Sequence, residues 1–402
     1  MTISAQRNAL AIDGGTPVRA TLLPYGRQSV DEADIAAVAE VLRSDWLTTG
    51  PKVGEFEEAF AAAVGARFAV SFNSGTAALH GAAYAAELGP GDEAVTTPMT
   101  FCATANCVLY QGARPVFADV CPDTLNLDPD KVRAALTPRT KALLPVDYSG
   151  HAADLDAFLE IAEERGLTVI EDASHALGGE YKGQRVGTIS HLTTFSLHPV
   201  KHLTTGEGGM VTTNRADFAE TLRRFRNHGI SSEARQRQTA GQWQYEMVLL
   251  GMNYRLPDIN CALGLSQMRG LTANLARRRA IAAAYQERLA DLGGLILPTT
   301  RHEVNPAWHL YPVRVDATEL KVGRAEIFRA LRAENIGVNV HYVPVHLHPY
   351  YRQQFGFQGG EYPVAESAYE QLISLPMFHA MTDPDVEDVV RAVKKVFEWY
   401  VR

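Results

Sequence analysis

The chain is poor in the features that would mark a secreted, membrane or nucleic-acid-binding protein. Only four of its 402 residues are cysteine, and no Cys-x-x-Cys occurs. In a chain of this length the four read as buried free thiols, not as a disulfide framework or a thiolate metal site. No apolar run reaches membrane-spanning length, and the opening MTISAQRNAL lacks the apolar core of a signal peptide. A cytoplasmic location with no membrane partner is therefore expected. There is no long basic run, and the formal net charge is −8, which disfavours nucleic acid as a main partner. Internal repeats and low-complexity segments are also missing.

What is present is an ordinary globular composition, 46% hydrophobic and 21% charged, in a chain long enough for two domains with sizeable cores. Short apolar runs alternate with helical periodicity. Strands are expected at Phe68 to Phe72, Glu93 to Thr97, Pro115 to Asp119, Ala142 to Asp147, Leu167 to Ile170 and Gly209 to Thr213. Helices are expected at Ala77 to Leu88, from Asp128-Pro129, at Ala153 to Arg165 and at Asp217 to Arg226. Such alternation predicts a parallel, doubly wound sheet. Ser29-Val30-Asp31-Glu32 reads as a capping box opening a helix with Ile35, Val38 and Leu42 on one face. Asp45 to Pro51 breaks that helix. Residues 231–244 are polar without periodicity and read as a mobile loop able to cover a substrate.

A long helix, Thr272 to Leu292, is expected to link a large domain of residues 1–270, N-terminal arm included, to a small domain of residues 271–402. Its Arg277-Arg278-Arg279 run reads as a solvated face. The small domain alternates strand and helix and closes on an amphipathic helix, Asp385 to Tyr400.

The chemistry concentrates between Val169 and Gly209. Asp172 closes a strand, where open α/β sheets place functional groups. Lys201 lies in a glycine-rich loop, with Ser196 before it and Thr204, Thr205, Gly206, Gly208 and Gly209 after it. A lysine amine can form a Schiff base with an aldehyde, and enzymes using pyridoxal phosphate pair that lysine with a carboxylate on the pyridinium nitrogen. A lone lysine in such a loop is usually solvated, so the weight comes from the combination. Asn73-Ser74-Gly75-Thr76 precedes an alanine-rich helix. Free N–H groups and the helix dipole make that turn a phosphate site, although most such turns are only caps.

Glu-Asp-Ala-Ser-His-Ala, Phe-Ser-Leu-His-Pro-Val-Lys and Thr-Thr-Gly-Glu-Gly-Gly are similar, in order and spacing, to motifs of the DegT/DnrJ-type sugar aminotransferases. That family is a branch of the fold type I pyridoxal-phosphate enzymes, and the resemblance extends over nearly the whole chain. It implies a fold type I α/β transferase, with a mainly parallel sheet in the large domain and a smaller C-terminal α/β domain. The cofactor it implies is pyridoxal 5'-phosphate, held by Lys201. Asp172 then sits on the ring nitrogen, Gly75, Thr76 and Ser196 on the phosphate, Phe101 stacked on the ring, and His175 on the ring hydroxyl. By the same resemblance Asn253 reaches across a homodimer interface to the partner's cofactor phosphate, so two chains build each site. L-Glutamate and a nucleotide sugar are the implied substrates.

Val338 to Tyr351, with Tyr25-Gly26-Arg27-Gln28 and Ser374-Leu375-Pro376, resembles the branch that aminates a UDP-linked 4-keto-6-deoxy-N-acetylhexosamine on the way to pseudaminic acid. Leu197 departs from the phenylalanine expected in that branch. Another 4-keto-6-deoxy sugar nucleotide is the nearest alternative. A related sugar dehydratase would carry histidine in place of Lys201, and a cofactor-sensing regulator would carry a basic helix-turn-helix, which is not seen. His309, His341 and Tyr342 are candidate substrate contacts by location and chemistry. No metal is expected at His341, His346 and His348, because strand alternation explains their spacing and no carboxylate pattern accompanies them.

Overall fold

The computed structural model describes residues 9–231, 241 and 243–402. The large unit is built on seven strands: β1 (Phe68–Phe72), β2 (Glu93–Thr96), β3 (Arg114–Phe117), β4 (Thr140–Leu144), β5 (Thr168–Asp172), β6 (Leu192–Ser196) and β7 (Gly209–Thr213). Their order in the sheet is β1-β7-β6-β5-β4-β2-β3. The sheet is mainly parallel, as expected, but β7 runs antiparallel to both neighbours. The reason lies in the connection. A parallel return needs a crossover, usually helical, and no helix separates β6 from β7. Instead the chain turns back on itself, with Leu197 N–H donating to Gly208 O at 2.9 Å and Thr205 N–H to Leu197 O at 3.1 Å. Lys201 sits at the head of this broad hairpin.

Both faces of the sheet are covered. On one, Phe56 and Phe60 of the helix Pro51–Val64 pack with Phe158, Val169 and Phe195. On the other, the helix Gly75–Ala85 buries Ala77, Ala78, Leu79, Ala82 and Ala83 against Val70, Ile170 and Val211. Alanine lets that helix approach the sheet closely, which brings its N-terminus up to the strand ends. The helix Pro51–Val64, which the sequence reading had not anticipated, has Pro51 at a first-turn position. Asp258 accepts from the N–H groups of Gly50 and Lys52 at 2.7 and 2.9 Å.

Two local expectations change. The capping box of the helix Glu32–Leu42 is Asp31 with Asp34, not Ser29 with Glu32. That helix turns Asp34 and Val41 inward, while Ile35 and Leu42 face solvent at 53% and 57% exposure. The polar loop read at residues 231–244 falls largely outside the described residues.

A three-stranded antiparallel sheet, β8 (Leu295–Ile296), β9 (Tyr311–Val315) and β10 (Leu372–Leu375) in that order, carries the C-terminal core. Leu289, Ile327, Leu331, Val389, Val393 and Phe397 pack around it. Leu10 and Leu23 of the N-terminal arm belong to this core, whereas the sequence reading grouped the arm with residues 1–270. Buried Glu334 ties it down, accepting from Ala11 N–H at 2.9 Å and Val18 N–H at 2.8 Å.

The arginine run on the helix Leu271–Leu289 is not a solvated face. Arg278 is 1% exposed, and its Nη1 donates to the carbonyls of Trp308, His309 and Met377 at 3.1, 3.4 and 3.0 Å. Arg279 donates to Pro306 O and Gly178 O, and Arg277 to Met381 O and Asp383. These carbonyls end irregular segments whose backbone has no strand partner, so three guanidinium groups satisfy them in place of a ladder. Among the described residues no helix is long and apolar enough to cross a membrane.

Candidate active site

A cavity of about 560 Å³ opens where the ends of β5 and β6 meet the N-terminus of the helix Gly75–Ala85 and the segment 339–342. Lys201, Asp172, Gly75, Thr76, Phe101, His175, Ser196, His309, His341 and Tyr342 all line it. Asn253 is the exception among the expected site residues. It lies exposed beside Asn73, whose side-chain amide donates to its carbonyl at 3.4 Å, and does not line this chain's own cavity.

Asp172 is held from two sides. Its Oδ1 accepts from the N–H and hydroxyl of Ser174 at 3.1 and 2.6 Å, and its Oδ2 from the Thr104 hydroxyl at 2.7 Å. Thr104 is itself bonded to Thr100 at 2.8 Å. A carboxylate offers about four acceptor positions, so these three bonds leave room for one more donor from the cavity.

The phosphate end is built by close approach. Ser74 Oγ accepts from Ala77 N–H at 3.0 Å, and Ser74 O from Ala78 N–H. That leaves the first two N–H groups of the helix, on Gly75 and Thr76, for a ligand. A Cβ on Gly75 would stand 3.0 Å from Ser196 Cβ and 3.2 Å from its Oγ, and one on Gly209 would stand 2.3 Å from Ser74 O. Larger residues at either position would push helix and strands apart and fill the cradle.

Lys201 is half-buried in the cavity wall, and its Nζ makes no hydrogen bond or ion pair among the described residues. Burial lowers its pKa to about 7; Asp172 opposes the shift and Arg278 adds to it. An ordinary lysine would be almost wholly charged at neutral pH, whereas this one has a substantial neutral fraction. Three histidines near it, His175, His202 and His309, are pushed well below the usual imidazole range by burial first, with Lys201 among the smaller causes. They add polar edges without adding positive charge. His175 Nε2 is bonded to the Tyr342 hydroxyl at 2.9 Å, while His175 Nδ1 and His309 Nδ1 have no partner among the described residues. Phe101 is 57% exposed toward the cavity, with its ring 6.2 Å from that of Tyr342.

Several lining residues escaped the sequence reading. Ser174 had a usable signal, since a serine two residues beyond an aspartate readily closes a side-chain turn. Thr104 and Thr100 had none, and Asn339 and Glu207 lay in distinctive stretches but were given no role of their own. The segments marked as distinctive do meet here. The Tyr25 ring stands 5.3 Å from that of His341, and Ser374 Oγ is 2.9 Å from His341 Nδ1.

The three histidines near residue 345 do not lie on a strand. His341 faces the cavity, whereas His346 belongs to a short 3-10 turn and stands 2.9 Å from Glu366. Carboxylates do accompany His346, contrary to the sequence reading, because Glu361 also approaches it. Those carboxylates accept from the N–H groups of Gln358, Gly359, Gly360 and Tyr362 and so anchor that loop.

A cavity-facing amine that is partly neutral at pH 7, a three-bonded carboxylate and a helix-end anion cradle, all on one α/β sheet edge, fit pyridoxal phosphate. The protein is a pyridoxal-phosphate-dependent enzyme. More narrowly, it belongs to the DegT/DnrJ/EryC1/StrS aminotransferase family, whose profile matches residues 28–394. The chain is 45% identical over 376 residues to the spore coat polysaccharide biosynthesis protein SpsC of Bacillus subtilis, covering 93% of this chain and 97% of that one. Among solved structures it is similar to Helicobacter pylori PseC, an aminotransferase involved in the biosynthesis of pseudaminic acid. That match has a TM-score of 0.88 and 32% identity, over 94% of this chain and all of that one. Spr1654 of Streptococcus pneumoniae, in its pyridoxal phosphate form, also matches at a TM-score of 0.88, with 31% identity over 95% of this chain and all of that one.

Proposed function

We propose that the enzyme moves an amino group from L-glutamate to the 4-keto carbon of a UDP-linked 4-keto-6-deoxy-N-acetylhexosamine, making a precursor of pseudaminic acid. The observation that carries the chemistry is the convergence of unpaired Lys201, three-bonded Asp172 and the Gly75-Thr76-Ser196 cradle in one cavity. The likeness to PseC supports the acceptor.

Bound pyridoxal phosphate supplies an aldehyde that takes up amines and a ring that accepts electrons. Gly75 and Thr76 N–H groups and the Ser196 hydroxyl bind its phosphate. Phe101 stacks on the ring, and His175, steadied by Tyr342, orients the ring hydroxyl. Asp172, fixed by Thr104 and Ser174, holds the proton on the ring nitrogen. Lys201 Nζ moves the proton, taking it from the glutamate α-carbon in one half-reaction and giving one to sugar C4 in the other. His309, His341 and Tyr342 face the substrate. Asn253, exposed on this chain, serves the partner's phosphate in a cytoplasmic homodimer. Residues 1–270 and 271–402 form the large and small domains, the start of the arm (Leu10 and Leu23) packing on the small one.

The greater identity to SpsC, 45% against 32% for PseC, supports a second reading in which the acceptor is another 4-keto-6-deoxy sugar nucleotide. Incubation with ¹⁵N-labelled glutamate and the UDP sugar, followed by NMR of the product, separates the two. Nitrogen on C4 is the expected result. Conversion of glutamate with no labelled UDP sugar would move the assignment to the second reading.

A further inference from the structure

Beneath Asp172 stand two carboxyl groups that the chemistry above does not use. Asp147 lies just past β4, and its N–H donates to Asp172 O at 3.0 Å. Glu171 precedes Asp172 on β5, so strand alternation sends its side chain to the other side. Both are 0% exposed, and neither lines the cavity. Asp147 Oδ1 accepts from Ala153 N–H at 2.9 Å, and Glu171 Oε2 from the Thr193 hydroxyl at 2.8 Å. The remaining oxygens, Asp147 Oδ2 and Glu171 Oε1, have no hydrogen-bond partner among the described residues. Val146 pairs with Asp172 across the two strands, so the residues after the one and before the other, Asp147 and Glu171, fall on the same side of the sheet. Ionised carboxylates only accept, so two such buried oxygens can satisfy each other only if one of them carries a proton.

Other buried acids are satisfied differently. Asp258 takes two backbone N–H groups, Glu334 takes Lys395 with two more, and Glu57 takes Arg226. For Asp147 and Glu171 the main influences are burial, each other and Asp172, with hydroxyl and N–H donors but no cation. Burial pushes both above the usual carboxylate range, and such a pair titrates as a unit.

We propose that Asp147 and Glu171 share one proton and act through Asp172 as positioning residues for the cofactor, keeping a single negative charge behind the carboxylate that meets the ring nitrogen. This rests on the reading of Asp172 given above. A negative charge in the protein interior favours the protonated ring, so the pair reinforces the electron sink from a place no substrate reaches.

The proton is tested first, by infrared spectroscopy of the cofactor-free protein in deuterated buffer at neutral pH. A protonated carboxylic acid band is expected in the wild type and is lost in Glu171→Gln and in Asp147→Asn, where an amide supplies the hydrogen bond. No such band in the wild type overturns the shared proton, and that reading needs no variant to fold. The second test is the pH midpoint of the visible band of the cofactor-loaded protein. Each single variant keeps one charge and the wild-type midpoint. The double variant D147N/E171Q loses it and shifts the midpoint downward by roughly one pH unit, the order expected for one charge several Å away. An unmoved midpoint in the double variant overturns the action on the ring. If Asp172→Asn also leaves the midpoint unmoved, the reading of Asp172 itself falls, while the infrared band still decides the proton.

Discussion

The two walls of the cavity are built by different means. The wall from the seven-stranded sheet is set by backbone: β5 delivers Asp172, β6 delivers Ser196, and the helix Gly75–Ala85 delivers two free N–H groups. The facing wall, from His309 and the segment 339–342, has no strand of its own. Isolated backbone contacts pin it, Asn339 with Ser374 and His309 with Ser149, and side chains hold the rest, with Ser374 on His341 and His175 on Tyr342, while Arg278 fixes the turn of Trp308 and His309. A wall set by regular backbone suits the part of the reaction that stays the same, the cofactor. A wall set by side chains can change with the substrate while the fold stays put.

Substitutions on the two walls should therefore fail differently, and the largest effect belongs to the sheet wall. Lys201→Ala should abolish turnover with either substrate, by at least about 10⁴-fold given the general-base and nucleophile roles it would lose, while circular dichroism shows the fold intact. Asp172→Asn should slow both half-reactions on the order of 10³-fold, measured by single-turnover absorbance with glutamate and with sugar separately. Loss in only one half would break the comparison, because a cofactor-side residue serves both.

Next comes the support of the facing wall. Arg278→Met leaves three buried carbonyls without their donor and should cost about 2–4 kcal/mol in urea unfolding. Tyr342→Phe is smaller. Losing a hydroxyl that faces the sugar should reduce kcat/KM for the sugar about tenfold, the worth of one hydrogen bond, with a smaller loss for glutamate through its bond to His175. An equal loss for glutamate would move Tyr342 to the cofactor side. The mildest test uses pH. The pKa of Lys201 is lowered to about 7, so its neutral fraction rises as pH rises through that value. Cofactor uptake by the cofactor-free protein should accelerate with a midpoint near 7, and a midpoint near that of free lysine would show the amine solvated.

The contrast also explains what could be read from the sequence. Strands such as Phe68–Phe72 and Gly209–Thr213 were located to the residue, and every expected residue of the sheet wall lines the cavity. Their signals are local, as an acid at a strand end or a glycine before a helix. Orientation was less accessible. That β7 turns back depends on there being no crossover helix, not on any residue within it. Arg278 was misread because a charged helical run usually faces water. Its burial is decided by three carbonyls 30, 31 and 99 positions away, which no local pattern encodes. Thr104 on Asp172 and Ser374 on His341 are long-range in the same way. Asp147 and Glu171 were read only as parts of a strand and a motif, because their pairing exists only once β4 and β5 lie side by side.

The most direct test follows the visible absorbance of the purified protein while L-glutamate and then the UDP-linked 4-keto-6-deoxy-N-acetylhexosamine are added. A yellow band that bleaches with glutamate and returns with the sugar is the predicted result, and it requires both walls to work together. No band after pyridoxal phosphate has been supplied, or a band that glutamate leaves unchanged, would contradict the account.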